Sequence, residues 1–157
     1  MTSHTESAAS SRPGSSSTGL SPAKPKAAVS PARAVGLLQL LPETGSAVAH
    51  EMGLRLTTSE ELHDPMRAID IGARYLHDLL VRTRGSVPLA VAAYNAGADS
   101  VLRWVSRMHG MELDAFVEAI PFLETRSYVI HVMESYARYG YLAHGEEGVP
   151  KIDLALP

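Results

Sequence analysis

The chain has 157 residues, of which 45% are hydrophobic, 6% aromatic and 20% charged, and its formal net charge is −3. That is the length of one ordinary domain, and an aliphatic, aromatic-poor composition suits a helical core better than an aromatic-rich β-sandwich. The absence of cysteine excludes disulfides, thiolate zinc sites and cysteine nucleophiles, the charge balance gives no general field for nucleic acid, and no apolar stretch approaches the roughly 20 residues that span a bilayer.

Residues 1–28 are dominated by Ser, Thr, Ala, Pro and Gly, and Met1 and Leu20 are their only large apolar side chains. Such a segment buries too little surface to offset its ordering entropy, so it reads as a disordered tail. It lacks the apolar core of a secretory signal, which as written leaves the chain without an export address.

From Ala34 onward the punctuation is helical. The apolar run A-V-G-L-L-Q-L-L over residues 34–41 reads as a short first helix stopped by Pro42, which in turn opens a second helix that Gly53 ends. A polar loop leads to Asp64-Pro65, an N-cap followed by a first-turn proline. The next helix places Ile69, Gly72, Ala73, Leu76, Leu79 and Leu80 at offsets of three and four, which predicts one buried stripe, and Gly85 stops it.

Ser86 caps a helix through V-P-L-A-V-A-A-Y-N-A that Gly97 closes. A further helix turns Val101, Leu102, Val105 and Met108 to one side and ends at Gly110. A short helix over L-D-A-F-V-E-A-I is broken by Pro121, and the last long one runs from Phe122 to about Tyr139. Residues 144–157 have no clear period, and no repeat of solenoid length is present. The fold class is all-α, with about six helices in one domain over residues 29–143.

Conventional catalytic motifs are missing. There is no Gly-rich phosphate loop and no G-x-S-x-G elbow. His50-Glu51 begins like a zinc-protease motif, but Leu54 stands where the second histidine is required. No cofactor or metal is expected.

Three segments instead mix Gly or Pro punctuation with uncharged hydrogen-bonding groups in apolar surroundings. They are S-P-A-R-A-V-G-L-L-Q-L-L-P over 30–42, A-Y-N-A-G over 93–97 and I-P-F-L-E-T-R-S-Y-V over 120–129. Gln39 lies among four leucines, Tyr94 and Asn95 precede a glycine stop, and Glu124 and Tyr128 are four apart on one helix face. Amides and phenols in an apolar setting suit a neutral, hydroxyl-rich ligand such as a carbohydrate.

Together with D-P-M-R-A-I-D-I-G-A-R-Y-L over 64–76, these segments resemble, in order and spacing, the soluble lytic transglycosylase (SLT) domain family. Its pattern runs S-P-x-G-A-x-G-L-M-Q-L-x-P, D-P-x-x-N-I-x-x-G-x-x-Y-L, A-Y-N-A-G and I-P-F-x-E-T-x-x-Y-V. The resemblance implies a goose-type lysozyme-like helical fold whose groove binds peptidoglycan glycan strands, no cofactor, and a periplasmic or cell-envelope location. It also implies cleavage of the β-1,4 bond between N-acetylmuramic acid and N-acetylglucosamine without water, yielding a 1,6-anhydro product. One glutamic acid protonates the leaving oxygen and then, as carboxylate, takes the proton of the muramic 6-hydroxyl, unlike the two-carboxylate scheme of most glycosidases. By resemblance, Gln39, Tyr94, Asn95, Glu124 and Tyr128 line the substrate site. Gln39 is also readable as a satisfied buried amide, Asn95 as a tie for the helix end, and Glu124 as a favourable charge near a helix start.

The pattern breaks at the acid. The family's glutamate precedes the S-P-x-G-A serine by nine residues, and counting back from Ser30 reaches Ser21, whose hydroxyl is too weak an acid for the role. Lys24 fills the usual aromatic position, and prolines interrupt what should be a helix. Glu6, in the tail, and Glu43, following Pro42 where it also favours a helix start, are the substitute candidates. Arg33, Ala68 and Ala98-Asp99 are milder departures that remove no chemistry. Two explanations remain: an incomplete or misread N-terminus of an active enzyme, or a non-catalytic relative that binds glycan or serves as a scaffold.

Overall fold

A computed structural model describes residues 34–56 and 58–157. Among them are six α-helices: α1 (Pro42–Glu51), α2 (Pro65–Arg82), α3 (Val87–Ala96), α4 (Ala98–Arg107), α5 (Leu113–Glu118) and α6 (Leu123–His144). Short 3-10 turns cover Ser59–His63 and Gly145–Gly148, and two isolated antiparallel bridges replace any strand among the described residues. The all-α reading holds. Glu6, Ser21 and the segment read as a disordered tail lie outside the described residues.

The helix starts follow the sequence signals. Asp64 accepts hydrogen bonds from the Met66 and Arg67 amides at 2.9 and 3.0 Å, leaving Pro65 where no amide proton is needed. Ser86 occupies the N-cap position of α3 but its side chain makes no capping hydrogen bond, and Gly97 ends the helix at φ +83, where glycine is unpenalised.

α3 is the centre. Its residues from Pro88 to Ala93 are all buried, as expected for a helix that is apolar all round. It packs against α2, α4 and α6. One apolar cluster joins α3 to Leu79, Val101, Trp104, Phe116, Ile120 and Val129, and a second holds Val35, Leu40, Val48, Ala49, Leu62 and Ile71. Tyr75 and Tyr94 touch both clusters and link them.

Four expectations are corrected. Residues 34–41 do not form a helix: Val35 and Leu40 pair as an antiparallel bridge across a turn, with N–H to O=C bonds of 2.8 and 3.1 Å. An unbroken apolar run carries no period, and here tertiary packing chooses the conformation. The buried stripe of α2 is Ala68, Ile71, Gly72 and Leu79 with half-buried Tyr75, whereas Ile69, Ala73 and Leu76 are exposed. Small residues let neighbours approach closely, and a Cβ at Gly72 would overlap the Leu38 side chain. On α4 Ala98, Val101 and Trp104 are buried and Val105 and Met108 pack half-buried against the core as expected, but Leu102 is exposed. The last helix continues about one turn beyond Tyr139, to His144.

Candidate functional site

The turn between Val35 and Leu40 is built by two unusual backbone conformations, φ +73 at Gly36 and φ +50 at Gln39. The Gln39 backbone N–H donates to the Gly36 carbonyl at 3.2 Å, and its side-chain Nε2 donates to the same oxygen at 2.8 Å. The amide group of Gln39 is therefore engaged in part by its own turn, although the residue is exposed. The turn also aims the Leu38 carbonyl at α3, where the Tyr94 hydroxyl donates to it at 3.0 Å.

Tyr94 is half-buried near the end of α3. Its ring lies 5.2 Å from that of Tyr75, tilted by 52°, a geometry in the favourable range for aromatic pairs. Burial pushes the Tyr94 phenol well above its ordinary pKa, and the neighbouring Tyr128 and Tyr75 phenols add to the effect. Burial likewise raises Tyr128. It raises Tyr75 too, against the pull of Arg82 and with a further push from Asp99. The result is a cluster of three neutral phenols drawn from α2, α3 and α6; the Tyr94 proton is already given to the Leu38 carbonyl, so toward a ligand that oxygen only accepts.

The remaining residues arrange themselves around this cluster. Asn95 is exposed at the end of α3, and its Oδ1 accepts a 2.6 Å hydrogen bond from Oγ1 of Thr125, which is buried in the first turn of α6. Glu124, in the same turn, is exposed, while Tyr128 four residues on is half-buried. Glu43 is exposed in the first turn of α1. Tyr94, Tyr128 and Asn95 thus meet where α3 joins α6, and Gln39 sits in the turn that Tyr94 grips.

Tyr75 and Thr125 join this set although sequence reasoning passed over them as site residues. Tyr75 carried a usable signal, since it follows Ile71 by four and falls in the D-P…Y-L motif. Thr125 carried none, because its partner is 30 positions away.

Among the described residues the buried polar side chains are Thr83 and Thr125, so none of their carboxylates is buried. The groups that shift Tyr94 are phenols, not acids. Of the residues outside the described set, only Glu6 carries a carboxyl side chain. No group of metal-ligating side chains occurs among the described residues. Clefts of about 600, 420 and 640 Å³ lie around Arg82–Leu89, the C-terminal segment and the α5–α6 face, and none takes in Gln39, Tyr94, Asn95, Glu124 or Tyr128.

The family model described as Transglycosylase SLT domain matches residues 21–116. A putative soluble lytic murein transglycosylase of Haemophilus influenzae is 40% identical over 121 residues, which are 76% of this chain and 20% of that protein. The soluble lytic murein transglycosylase of Escherichia coli K12 is 37% identical over 114 residues, 71% of this chain and 18% of that one. Two solved structures are similar in fold. An inactive mutant of lytic transglycosylase Slt from Pseudomonas aeruginosa, in which glutamine replaces a glutamate, superposes with a TM-score of 0.72 at 34% identity, covering 80% of this chain and 20% of that one. A 70-kDa soluble lytic transglycosylase in complex with bulgecin A gives a TM-score of 0.75 at 32% identity, over 80% and 21% of the two chains. The chain spans about a fifth of the length of the relatives it matches.

Proposed function

The chain belongs to the Transglycosylase SLT domain family, and from that premise we propose that it is a peptidoglycan lytic transglycosylase-like domain that holds a glycan strand without turning it over. Residues 29–143 form the binding domain. Tyr94 and Tyr128 offer neutral hydroxyls, Asn95 and Glu124 offer acceptors at the rim, and Gln39 lines the turn facing Tyr94. Neutral donors and exposed acceptors beside apolar ring faces match the hydroxyls and acetamides of amino sugars. The cell envelope, where murein lies, is the place of action. No helix among the described residues is long and apolar enough to cross a membrane.

The family reaction needs an acid that is protonated near neutrality, which for a glutamate requires burial to raise its pKa above roughly 4.3. The single observation that carries the proposal is that none of the described carboxylates is buried beside the phenols. Glu43 and Glu124 are exposed to water and hold no such position. That one solved relative is inactive when a glutamate becomes glutamine supports the dependence on such a group. General acid catalysis is typically worth about 10²–10⁴-fold, and the family's carboxyl also serves as base, so a chain without it is expected to bind without release.

Incubation of the full chain with murein sacculi tests this. Co-sedimentation without anhydro-muropeptides is the expected result, and Tyr94→Phe combined with Gln39→Ala reduces the bound fraction. Substantial anhydro product would overturn the claim of inertness. No sedimentation at all would favour a helical adaptor without sugar affinity.

A further inference from the structure

The residue just before α6 has an unusual environment. Phe122 is 54% exposed and Leu123 is 71% exposed, yet the corner that carries them is fixed from several sides. Ile120, two residues earlier, is fully buried. The Arg126 Nη2–H donates to the Ile120 carbonyl at 2.9 Å, and the Arg126 backbone N–H donates to the Phe122 carbonyl at 3.0 Å. The Phe122 ring stands 5.2 Å from Trp104 in an edge-to-face arrangement at 89°, and Trp104 is only 7% exposed within the main core.

Isolated exposed apolar residues need no explanation. An exposed phenyl that is already immobilised is different, because a binding surface gains most when its ordering entropy has been removed beforehand. The two-residue apolar patch is too small for a stable protein interface. It does match one pyranose ring, whose C–H face is apolar and whose edge carries hydroxyls. Glu124, exposed two residues on, supplies a hydroxyl acceptor. The Thr125–Asn95 bond ties the same turn to the end of α3, next to Tyr94.

We propose that Phe122 is a stacking platform for an N-acetylhexosamine ring of the bound strand, with Glu124 accepting from that ring's hydroxyls. The assignment rests on the glycan-binding reading above and adds a contact that the phenol cluster does not provide. Stacking on a preformed aromatic face contributes about tenfold in affinity.

The chain contains a single tryptophan, and it is the one packed against Phe122, so ligand on the phenyl is reported by Trp104 emission. The tetramer of N-acetylglucosamine is titrated into the full chain by fluorescence and, independently of the reporter, by calorimetry. Wild type and Phe122→Tyr bind alike, whereas Phe122→Ala binds about tenfold more weakly and sediments less with sacculi. Circular dichroism melting of the three proteins controls for folding. If Phe122→Ala binds tetramer and sacculi as tightly as wild type, the platform is wrong and the binding domain stands. If wild type binds neither, both readings fall together.

Discussion

The Tyr94 hydroxyl and the Leu38 carbonyl are joined by a 3.0 Å hydrogen bond across 56 positions of sequence. It connects the end of the central helix to the turn that precedes α1, and both residues belong to the small apolar cluster that includes Leu40, Leu62 and Ile71. Tyr94→Phe keeps the ring and its contact with Tyr75 and deletes only the donor. The expected cost is about 1 kcal/mol, because the Leu38 oxygen loses a partner in a half-buried place. Urea unfolding of the two proteins, compared at equal m-value, measures it. Sacculus binding falls as well, since the turn carrying Gln39 is no longer gripped.

Thr125 and Asn95 give a second long-range tie, from Oγ1 to Oδ1 at 2.6 Å. Thr125→Val preserves volume and removes the donor, and the exposed Asn95 amide turns to water, so the loss is about 1 kcal/mol. Thr125→Ser retains the hydroxyl and loses one methyl from a side chain that is 2% exposed, also costing about 1 kcal/mol. The two variants separate in function. Valine loosens the join between α3 and α6 and weakens glycan binding, while serine leaves binding intact. Denaturant curves alongside tetramer titrations distinguish them.

Much of this architecture is readable from local chemistry. Pro42, Asp64-Pro65, Ser86 and Gly97 mark helix ends through the amide protons and φ angles they permit, and α3 announces its central position by being apolar on every side. What stays hidden is whatever neighbours decide. Residues 34–41 offer no period, so only the pairing of Val35 with Leu40 and the packing of Gly36 on Leu62 select a turn over a helix. α2 carries two apolar stripes, and the one containing Ala68 and Gly72 faces inward because it accepts close partners. Tyr94 and Gln39 stand out in the sequence as polar groups in apolar company. The proximity of Tyr94 to Tyr128, and the Thr125 partner of Asn95, depend on how α6 crosses α3.

The six tyrosines divide into three half-buried phenols, Tyr75, Tyr94 and Tyr128, and three exposed ones, Tyr136, Tyr139 and Tyr141. For the first three, burial raises the folded-state pKa above the ordinary value of about 10. A raised folded pKa favours the protonated native state, so their contribution to stability is complete below that ordinary value and is lost as pH climbs through the folded values. Stability from these groups is therefore flat between about pH 7 and 9 and declines in stronger alkali. Titration of phenolate absorbance should show these three ionising late and together with unfolding. Tyr94→Phe, which removes the largest of the shifts, flattens the alkaline decline.

Gly36 and Gly53 share nearly the same backbone, φ +73 and φ +72, in very different surroundings. A Cβ at Gly53 meets nothing within 4 Å, whereas one at Gly36 would overlap the Leu62 carbonyl oxygen, a backbone atom that cannot rotate away. Gly53→Ala therefore carries only the left-handed strain, about 1 kcal/mol. Gly36→Ala adds displacement of the turn against Leu62 and costs about 3 kcal/mol or more. Moving that turn also carries the Leu38 carbonyl away from Tyr94. In a double-mutant cycle the Tyr94→Phe penalty should consequently shrink in the Gly36→Ala background and keep its full size in the Gly53→Ala background. Equal penalties in both would mean that Gly36 does not position the Leu38 carbonyl.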